Sequence, residues 1–247
     1  MGGDWFVEAF RDRYLEVYPH RDLASARAEI DGLLAMRGPA EAWGRTLDLG
    51  AGFGRHTLAL LERGVDVVGM DLSAELLARR TTLPGEELER RLVRGDMRRL
   101  PFRDACFDTI VCLFSSFGYF DEAGNRAVLD GLRRVLANRG RVLLDVMNSA
   151  RIRTELVPRS VRAVGAGALT EERSLSADGS RVRKIVTLAA PDGAEERWHE
   201  DVQLFAPDAL DELVAGAGYR TLARFGDFDS RPFDDAAPRQ LVWLERA

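Results

Sequence analysis

A strand, a glycine turn and a helix start follow one another in Thr46-Leu47-Asp48-Leu49-Gly50-Ala51-Gly52-Phe53-Gly54-Arg55-His56, and a second apolar run, Val65-Asp66-Val67-Val68-Gly69-Met70, closes on an acid, Asp71. No other stretch constrains the fold so tightly. Gly50, Gly52 and Gly54 alternate along the turn. None carries a Cβ, so the backbone can pass very close to a ligand there. Asp71, at the end of the second strand, stands where a carboxylate can hold two ribose hydroxyls. Together these features imply a nucleoside-binding α/β unit.

The dinucleotide fingerprint is GxGxxG, with the third glycine for close helix packing. Here the pattern is GxGxG, and Arg55 occupies the third fingerprint position. Asp48 lies two residues before the first glycine, where a carboxylate suits a cationic ligand and opposes a pyrophosphate. The segment resembles motif I of the class I S-adenosylmethionine-dependent methyltransferases, [D/E]-x-G-x-G-x-G. The resemblance continues along the chain. Gly95-Asp96-Met97 is similar to the family's acidic motif at the adenine ring, and Phe107-Asp108-Thr109-Ile110-Val111-Cys112 to its fourth strand. Leu136-Ala137-Asn138-Arg139-Gly140 and the run to Asp145 resemble its turn and fifth strand, with Asn-Arg-Gly in place of Pro-Gly-Gly. The match covers roughly residues 46–147 and names the cofactor as S-adenosylmethionine, with S-adenosylhomocysteine as product.

Strands are expected at 46–49, 65–70, 91–94, 108–113 and 140–147, and helices at 55–63, 73–82 and 122–136, with a loop over 97–107. Such alternation predicts a doubly wound, mostly parallel sheet with helices on both faces. Residues 4–36 predict two helices separated at Pro19, the first with the apolar stripe Trp5, Phe6, Ala9, Phe10, Tyr14 and Val17. Residues 151–205 change character. Asp178-Gly179 between the runs 168–175 and 181–189 is a hairpin signal, and Pro191-Asp192-Gly193 starts a turn into 195–205. Residues 159–165 add a fourth strand. A helix begins at Pro207, which suits a first helical turn, and strands near 219–226 and 239–246 finish the chain. The resemblance makes the last strand antiparallel. The expected fold is α/β: a seven-stranded sheet with an N-terminal helical cap and an inserted antiparallel lid. The expected units are a cap over 1–40, a methyltransferase core over 41–150 and 206–247, and the lid over 151–205.

Composition narrows the functions. At 247 residues, 46% hydrophobic, the chain can bury a core, yet its apolar runs are too interrupted for a membrane span. Net charge is −5, and the arginine pairs Arg79-Arg80, Arg90-Arg91, Arg98-Arg99 and Arg133-Arg134 lie among acids, which fits solvated helix faces and not a nucleic-acid stripe. Lys184 is the only lysine. The two cysteines, Cys106 and Cys112, have no metal-ligand spacing, and no metal is expected. No secretory pattern is read at the start; Met1-Gly2-Gly3 hints at myristoylation, but Phe6 stands where Ser or Thr is wanted. The expected setting is the cytoplasm, as a monomer or homodimer, without nucleic-acid or membrane partners.

Methyl transfer from a sulfonium is an in-line displacement with a neutral leaving group, so positioning and exclusion of water carry most of the task. By position, Gly50, Ala51 and Gly52 are expected under the methionine and ribose, and Asp48 is expected to approach the methionine ammonium, directly or through water. Asp71 takes the ribose hydroxyls with Leu72 against adenine, Asp96 accepts from the adenine amino group with Met97 on the ring, and Phe114 lies near the sulfonium. On the acceptor side the run Phe114-Ser115-Ser116-Phe117-Gly118-Tyr119-Phe120 resembles small-molecule N-methyltransferases, including those of amino sugars and glycine-type amines, in which the residue at Tyr119 faces the acceptor. Tyr119 either faces the acceptor in this way or packs as an aromatic under the lid, and Phe117 joins it as a binding residue. Tyr14 and Tyr18 either contact cofactor or acceptor or pack in the core. His199 either takes a proton from the acceptor or points to water, and Asn148, ending the fifth strand, is placed to hydrogen-bond the acceptor. His56 is read as structural, with the helix end disfavouring its charge. The reading is a methyltransferase acting on a small molecule, with nitrogen as acceptor atom. Its rivals are an RNA or protein methyltransferase on the same fold, a nicotinamide oxidoreductase, and a non-catalytic cofactor-binding protein.

Overall fold

The structure, a computed structural model, describes residues 4–11, 13–84 and 86–247, with only the backbone of Thr81; Met1-Gly2-Gly3 lie outside the described residues. Its larger sheet follows from runs too apolar to sit anywhere but in a core. β1 (Thr46–Leu49) is buried at every position, and β4 (Phe107–Cys112) at all but Asp108. β2 (Val67–Asp71) and β3 (Leu92–Arg94) extend the sheet on one side. On the other side lie β5 (Leu136–Met147) and the final pair, β10 (Tyr219–Phe225) and β11 (Arg239–Arg246). The order is β10-β11-β5-β4-β1-β2-β3. All pairs are parallel except those of β11, which runs antiparallel to both β5 and β10. β1 therefore pairs outward in both directions, to β2 and to β4, and the crevice beyond their carboxyl ends is the place where open α/β sheets bind ligands.

Helices cover the faces. α4 (Arg55–Leu61) follows the glycine turn, α5 (Ala74–Ala78) follows β2, and α6 (Glu122–Val135) leads into β5. Several start on side-chain caps: Ser73 Oγ accepts from Leu76 N, and Asp121 Oδ1 accepts from Gly124 N. α8 (Pro207–Gly216) begins with Pro207 in its first turn.

The N-terminal segment departs from the two expected helices. It forms α1 (Trp5–Ala9), α2 (Tyr14–Val17) and α3 (Leu23–Arg37). The apolar stripe from Trp5 to Val17 is thus broken after Ala9, and its aromatic rings turn inward from two short helices. The helix after β2 is also shorter than 73–82, because a 3₁₀ turn over Arg79–Thr82 replaces its second half. β5 begins earlier than residue 140, since the backbone of Leu136 already pairs with Phe107. A helix not read from the sequence, α7 (Ser149–Glu155), follows β5, capped by Asn148.

The inserted segment is a four-stranded antiparallel sheet, β6 (Arg159–Val164), β7 (Gly167–Leu175), β8 (Arg181–Ala189) and β9 (Glu195–Gln203), in sequence order. Gly179 and Gly193 take φ of +68° and +87° in its turns, a region that favours glycine. This sheet is tied to the loop after β4, where Gln203 N donates to Gly118 O at 2.8 Å and Arg181 Nη1 to Phe120 O at 3.0 Å. α1 and α2 pack against the smaller sheet, whereas α3 packs on α4 over the larger one. Trp5, Phe6 and Ala9 pack with Phe120, Val202 and Phe205, while Val17 and Tyr18 pack on Leu169, Val186 and Leu188. Among the described residues, no helix is long and apolar enough to cross a membrane.

Candidate active site

The glycine turn closes tightly onto β2: Gly50 N and Ala51 N both donate to Met70 O, at 2.8 and 3.0 Å. Gly50, Gly52 and Gly54 have φ of +78°, +60° and +89°, so all three lie in the region that L side chains rarely adopt. A Cβ at Gly50 would come within 2.8 Å of the Ser116 side chain. Asp71 then locks the turn from the next strand. Its Oδ2 accepts from Gly52 N and its Oδ1 from Ser73 N, both at 2.8 Å. Burial pushes its carboxyl up, opposed by those amide bonds. A carboxylate offers about four lone-pair sites, so acceptor capacity remains for a ligand diol.

A cavity of about 250 Å³ opens above this turn. Its walls include Gly50, Ala51, Gly52, Asp71, Leu72, Asp96, Met97 and Phe114, the residues expected to hold the cofactor apart from Asp48. Tyr14 and Tyr119, expected on the acceptor side, line it as well. Asp96 does so while bound: Arg98 donates from Nε to both carboxylate oxygens at 3.0 Å and from Nη2 to Oδ2 at 2.6 Å. Burial pulls Asp96 upward, but the guanidinium outweighs it and leaves the carboxyl below its usual range. Tyr119 packs among Trp5, Phe6 and Phe10, with ring centroids 4.8, 6.3 and 5.7 Å away. Burial drives its phenol pKa well above the ordinary value, so it stands as a neutral hydroxyl.

The other expected residues stand elsewhere. Asp48 is buried beneath the turn and accepts from Thr57 Oγ1 at 2.7 Å; burial pushes its carboxyl up to about 6. β1 turns its side chain toward α4, and Asp48 is not among the residues that line the cavity. Tyr18 leaves the cavity wall to donate to Glu200 Oε1 at 2.6 Å. Phe117 is buried against Phe205, with centroids 5.4 Å apart. Asn148 caps α7 and donates to the carbonyls of Asp234, Asp235 and Ala237. His199 is exposed on β9, since strand alternation puts Trp198 and Glu200 on the inner face and His199 on the outer.

Sequence reasoning missed the far end of the cavity. Arg21, Arg55 and His56 line it, close to Phe114. Arg55 Nη1 and His56 Nε2 share Glu29 Oε2 at 3.0 and 2.6 Å. Burial, then the neighbouring Arg55, pushes His56 down to about 4, so the imidazole is neutral at pH 7. Burial, rather than the expected helix end, is the largest cause of that shift. The ring of Phe114 lies between His56 and Phe228, with centroids 5.4 and 6.0 Å away, and the guanidinium carbons of Arg55 and Arg239 are 4.4 and 4.5 Å from it. Phe114 and its neighbour Ser115 have φ of +55° and +58°. For non-glycine residues this conformation costs about 1–3 kcal/mol each and persists only where the surroundings enforce it. Asp145 enforces it: its Oδ2 accepts from Phe114 N at 2.7 Å and its carbonyl from Ser115 N at 3.0 Å. Arg239 grips the same carboxylate at 2.7 and 2.8 Å.

A mostly parallel seven-stranded sheet with β11 reversed, and a glycine turn clamped by an acid from the next strand, define a Rossmann-like nucleoside-binding protein. Residues 46–140 match the sequence model of the methyltransferase domain family. An uncharacterised methyltransferase of Mycobacterium tuberculosis is 34% identical over 192 residues, 77% of this chain and 69% of that protein. A glycine/sarcosine N-methyltransferase of Parasynechococcus marenigrum is 35% identical over 153 residues; the match spans 60% of this chain and about half, 52%, of that relative's length. The CcbJ methyltransferase of Streptomyces caelestis has the same fold, with a TM-score of 0.79 at 17% identity over 98% of each chain. The chain belongs to the class I S-adenosylmethionine-dependent methyltransferases. S-adenosylmethionine is the cofactor. The donor set fits such a group: bare main chain at Gly50 and Gly52, an acid with spare acceptor capacity at Asp71, and apolar side chains at Leu72 and Met97.

Proposed function

We propose that the protein methylates the nitrogen of a small-molecule amine inside this cavity. Residues 1–40 act as a cap and 151–205 as a lid over a core formed by 41–150 and 206–247. The carrying observation is the acceptor end of the cavity, which has an aromatic wall and lacks a competent base among the described residues. Tyr119 is held neutral, and His56 has its Nε2 committed to Glu29. An aliphatic hydroxyl needs a strong base before it attacks, whereas a neutral amine is already a nucleophile. Several relatives point the same way. Besides the glycine/sarcosine enzyme, a fold neighbour is described as the sugar N-methyltransferase KedS8 from Streptoalloteichus, at 22% identity and TM-score 0.68.

Bound S-adenosylmethionine supplies a methyl group on a positive sulfur whose leaving group is a neutral thioether. The chain supplies geometry. Asp71 holds the ribose diol, Gly50 to Gly52 let the backbone approach, Leu72 and Met97 flank the base, and Asp96, fixed by Arg98, accepts at its edge. Tyr14, Phe10 and Tyr119 orient the amine, and their rings favour the positive charge that grows on nitrogen. The N-terminal helices exclude water.

Calorimetry with S-adenosylhomocysteine and a labelled-methyl screen against pooled metabolites test this. Asp71→Ala is expected to weaken binding about 100-fold, since hydrogen bonds to a charged group contribute about 1.5–3 kcal/mol each. Label should enter the amine pool. Label in alcohols, RNA or protein instead, or an unchanged affinity in the variant, contradicts the proposal.

A further inference from the structure

The run after β4 that carries Tyr119 is held from outside the larger sheet. Arg181, the first residue of β8, reaches it with its guanidinium fork. Nη1 donates to Phe120 O at 3.0 Å, and Nη2 spans Gly118 O and Tyr119 O at 3.4 Å each. Three consecutive carbonyls therefore meet one guanidinium. Gln203, paired opposite Arg181 in the smaller sheet, adds a bond from its N to Gly118 O at 2.8 Å. Asp201 fixes the fork itself. Its Oδ1 accepts from Arg181 Nε at 2.6 Å, and its carbonyl accepts from Nη2 at 2.7 Å. The two side chains are 20% and 18% exposed, so water and salt screen this pair only weakly.

The loop is shaped for that contact. Gly118 has φ of +104°, and a Cβ there would come within 3.1 Å of the Phe205 ring and 3.2 Å of Gln203 O. Tyr119 is the next residue, so a shift of this backbone tips its ring among those of Trp5, Phe6 and Phe10. Guanidinium holds five donors in a rigid plane, whereas a lysine ammonium is a point with three. The plane is what lets one side chain grip Asp201 and successive carbonyls at once. Arg183 supplies a matched control: its Nε meets the other oxygen of Asp201 at 3.2 Å, and its side chain is 56% exposed.

Resting on the amine methyltransferase reading above, we infer that Arg181, fixed by Asp201, is the positioning residue for Tyr119, so that the inserted sheet sets where the acceptor's aromatic wall stands. Arg181 is not among the residues that line the cavity, and it acts through the backbone of residues 118–120. A misplacement of about 1 Å near the reacting groups can cost about 100-fold in rate. The glycine turn and Asp71 stand apart from this fork, so binding of the cofactor is separable from it.

The test uses the full chain with 3-fluorotyrosine in place of its four tyrosines, and Tyr119→Phe assigns the Tyr119 signal. Fluorine spectra of the free parent protein are compared with those of Arg181→Met, Arg181→Lys, Asp201→Asn and Arg183→Met. Arg181→Met is expected to move or broaden the Tyr119 signal while Tyr219, in β10, keeps its own. Arg181→Lys, which keeps the charge beside Asp201 without the fork, should give the same displaced signal. Asp201→Asn should give a smaller shift in the same direction, and Arg183→Met none. In the labelled-methyl assay with pooled amines, the initial rate should fall about tenfold or more in Arg181→Met, with affinity for S-adenosylhomocysteine within about twofold of the parent. An unmoved Tyr119 signal in Arg181→Met overturns the inference. Full recovery in Arg181→Lys does the same, because it reduces the contact to an ion pair. A loss of affinity for S-adenosylhomocysteine as large as the loss of rate also overturns it, since that marks a general loosening. Should Arg181→Met fail to fold, Arg181→Lys and Asp201→Asn carry the same comparison. A parent that labels no amine removes the amine reading by itself, and the fluorine spectra still decide what places Tyr119.

Discussion

In the seven-stranded sheet the strands β1, β4, β5 and β11 are buried along most of their length, whereas in the four-stranded sheet β6 leaves four of its six residues exposed and β9 buries only one of its nine. The polar groups differ in the same way. Those inside the larger sheet are few and enclosed: Asp48 under the glycine turn and Asp145 beside Phe114, exposed to 1% and 0%. Those of the smaller sheet form a chain of ions on its inner face. Lys184 Nζ meets Glu200 Oε2 at 2.7 Å and Glu171 Oε1 at 3.6 Å, and it donates to the Tyr18 hydroxyl. One sheet is held by exclusion of water and the other by charge. The residues proposed to hold the cofactor stand on the first; the aromatic walls proposed to enclose an acceptor come from α1 and α2, which pack against the second.

A pair of truncations measures that contrast most directly. Leu144→Ala in β5, where the side chain is fully buried, should cost about 3–4 kcal/mol in chemical denaturation. Val161→Ala in β6, where the side chain is 55% exposed, should stay within about 0.5 kcal/mol. Equal costs would erase the distinction between the sheets.

Asp48 sharpens it through pH. Burial raises this carboxyl from the usual 3.8 to about 6. A folded pKa above the unfolded one means that the native state favours the neutral acid. The stabilisation is complete below about pH 4 and lost as pH climbs through about 6. Asp48→Asn cannot ionise, so its stability relative to the parent should improve between pH 4 and 7 by about 2–3 kcal/mol. A gap between the two proteins that stays flat with pH would refute the enclosed acid.

Tyr18→Phe probes the joint between the helices and the smaller sheet. It deletes the hydroxyl bonded to Glu200 but keeps the Lys184–Glu200 pair and the ring under Arg21. Unfolding should become easier by about 1–2 kcal/mol, with affinity for S-adenosylhomocysteine within about twofold of the parent, as calorimetry can check. A large loss of affinity would show that the joint belongs to the cofactor site.

Much of the larger sheet was legible because its strands are short apolar runs punctuated by glycine and acid. Thr46 to Asp71 carries its ligand chemistry in backbone shape, and backbone shape is what glycine spacing encodes. The distal end of the cavity was not legible. Arg21 sits on the turn before α3 and Arg55 in the first turn of α4, and only the folding of α3 against α4 brings them to Phe114. The bond of Asp48 to Thr57 was hidden for a related reason. The acid's position in the motif is clear, but which way β1 turns the side chain depends on Thr57 from α4. The break in the N-terminal stripe has a similar origin: Phe10, at the end of α1, faces Tyr119 through tertiary packing that no helical period records. His199 and Glu200 are neighbours in sequence, and strand alternation alone decides which reaches the interior.

The grip of Arg239 on Asp145 ties the strained Phe114–Ser115 bend to the final strand. During synthesis the glycine turn and Asp71 emerge from the ribosome long before residue 239 does. A nascent chain can therefore shape its nucleoside cradle early, yet the bend beside it stays unlocked until β11 has threaded between β5 and β10. Competence for the ligand is deferred until residue 239 has been made, and a copy cut short before it would carry the recognisable motif without a finished pocket.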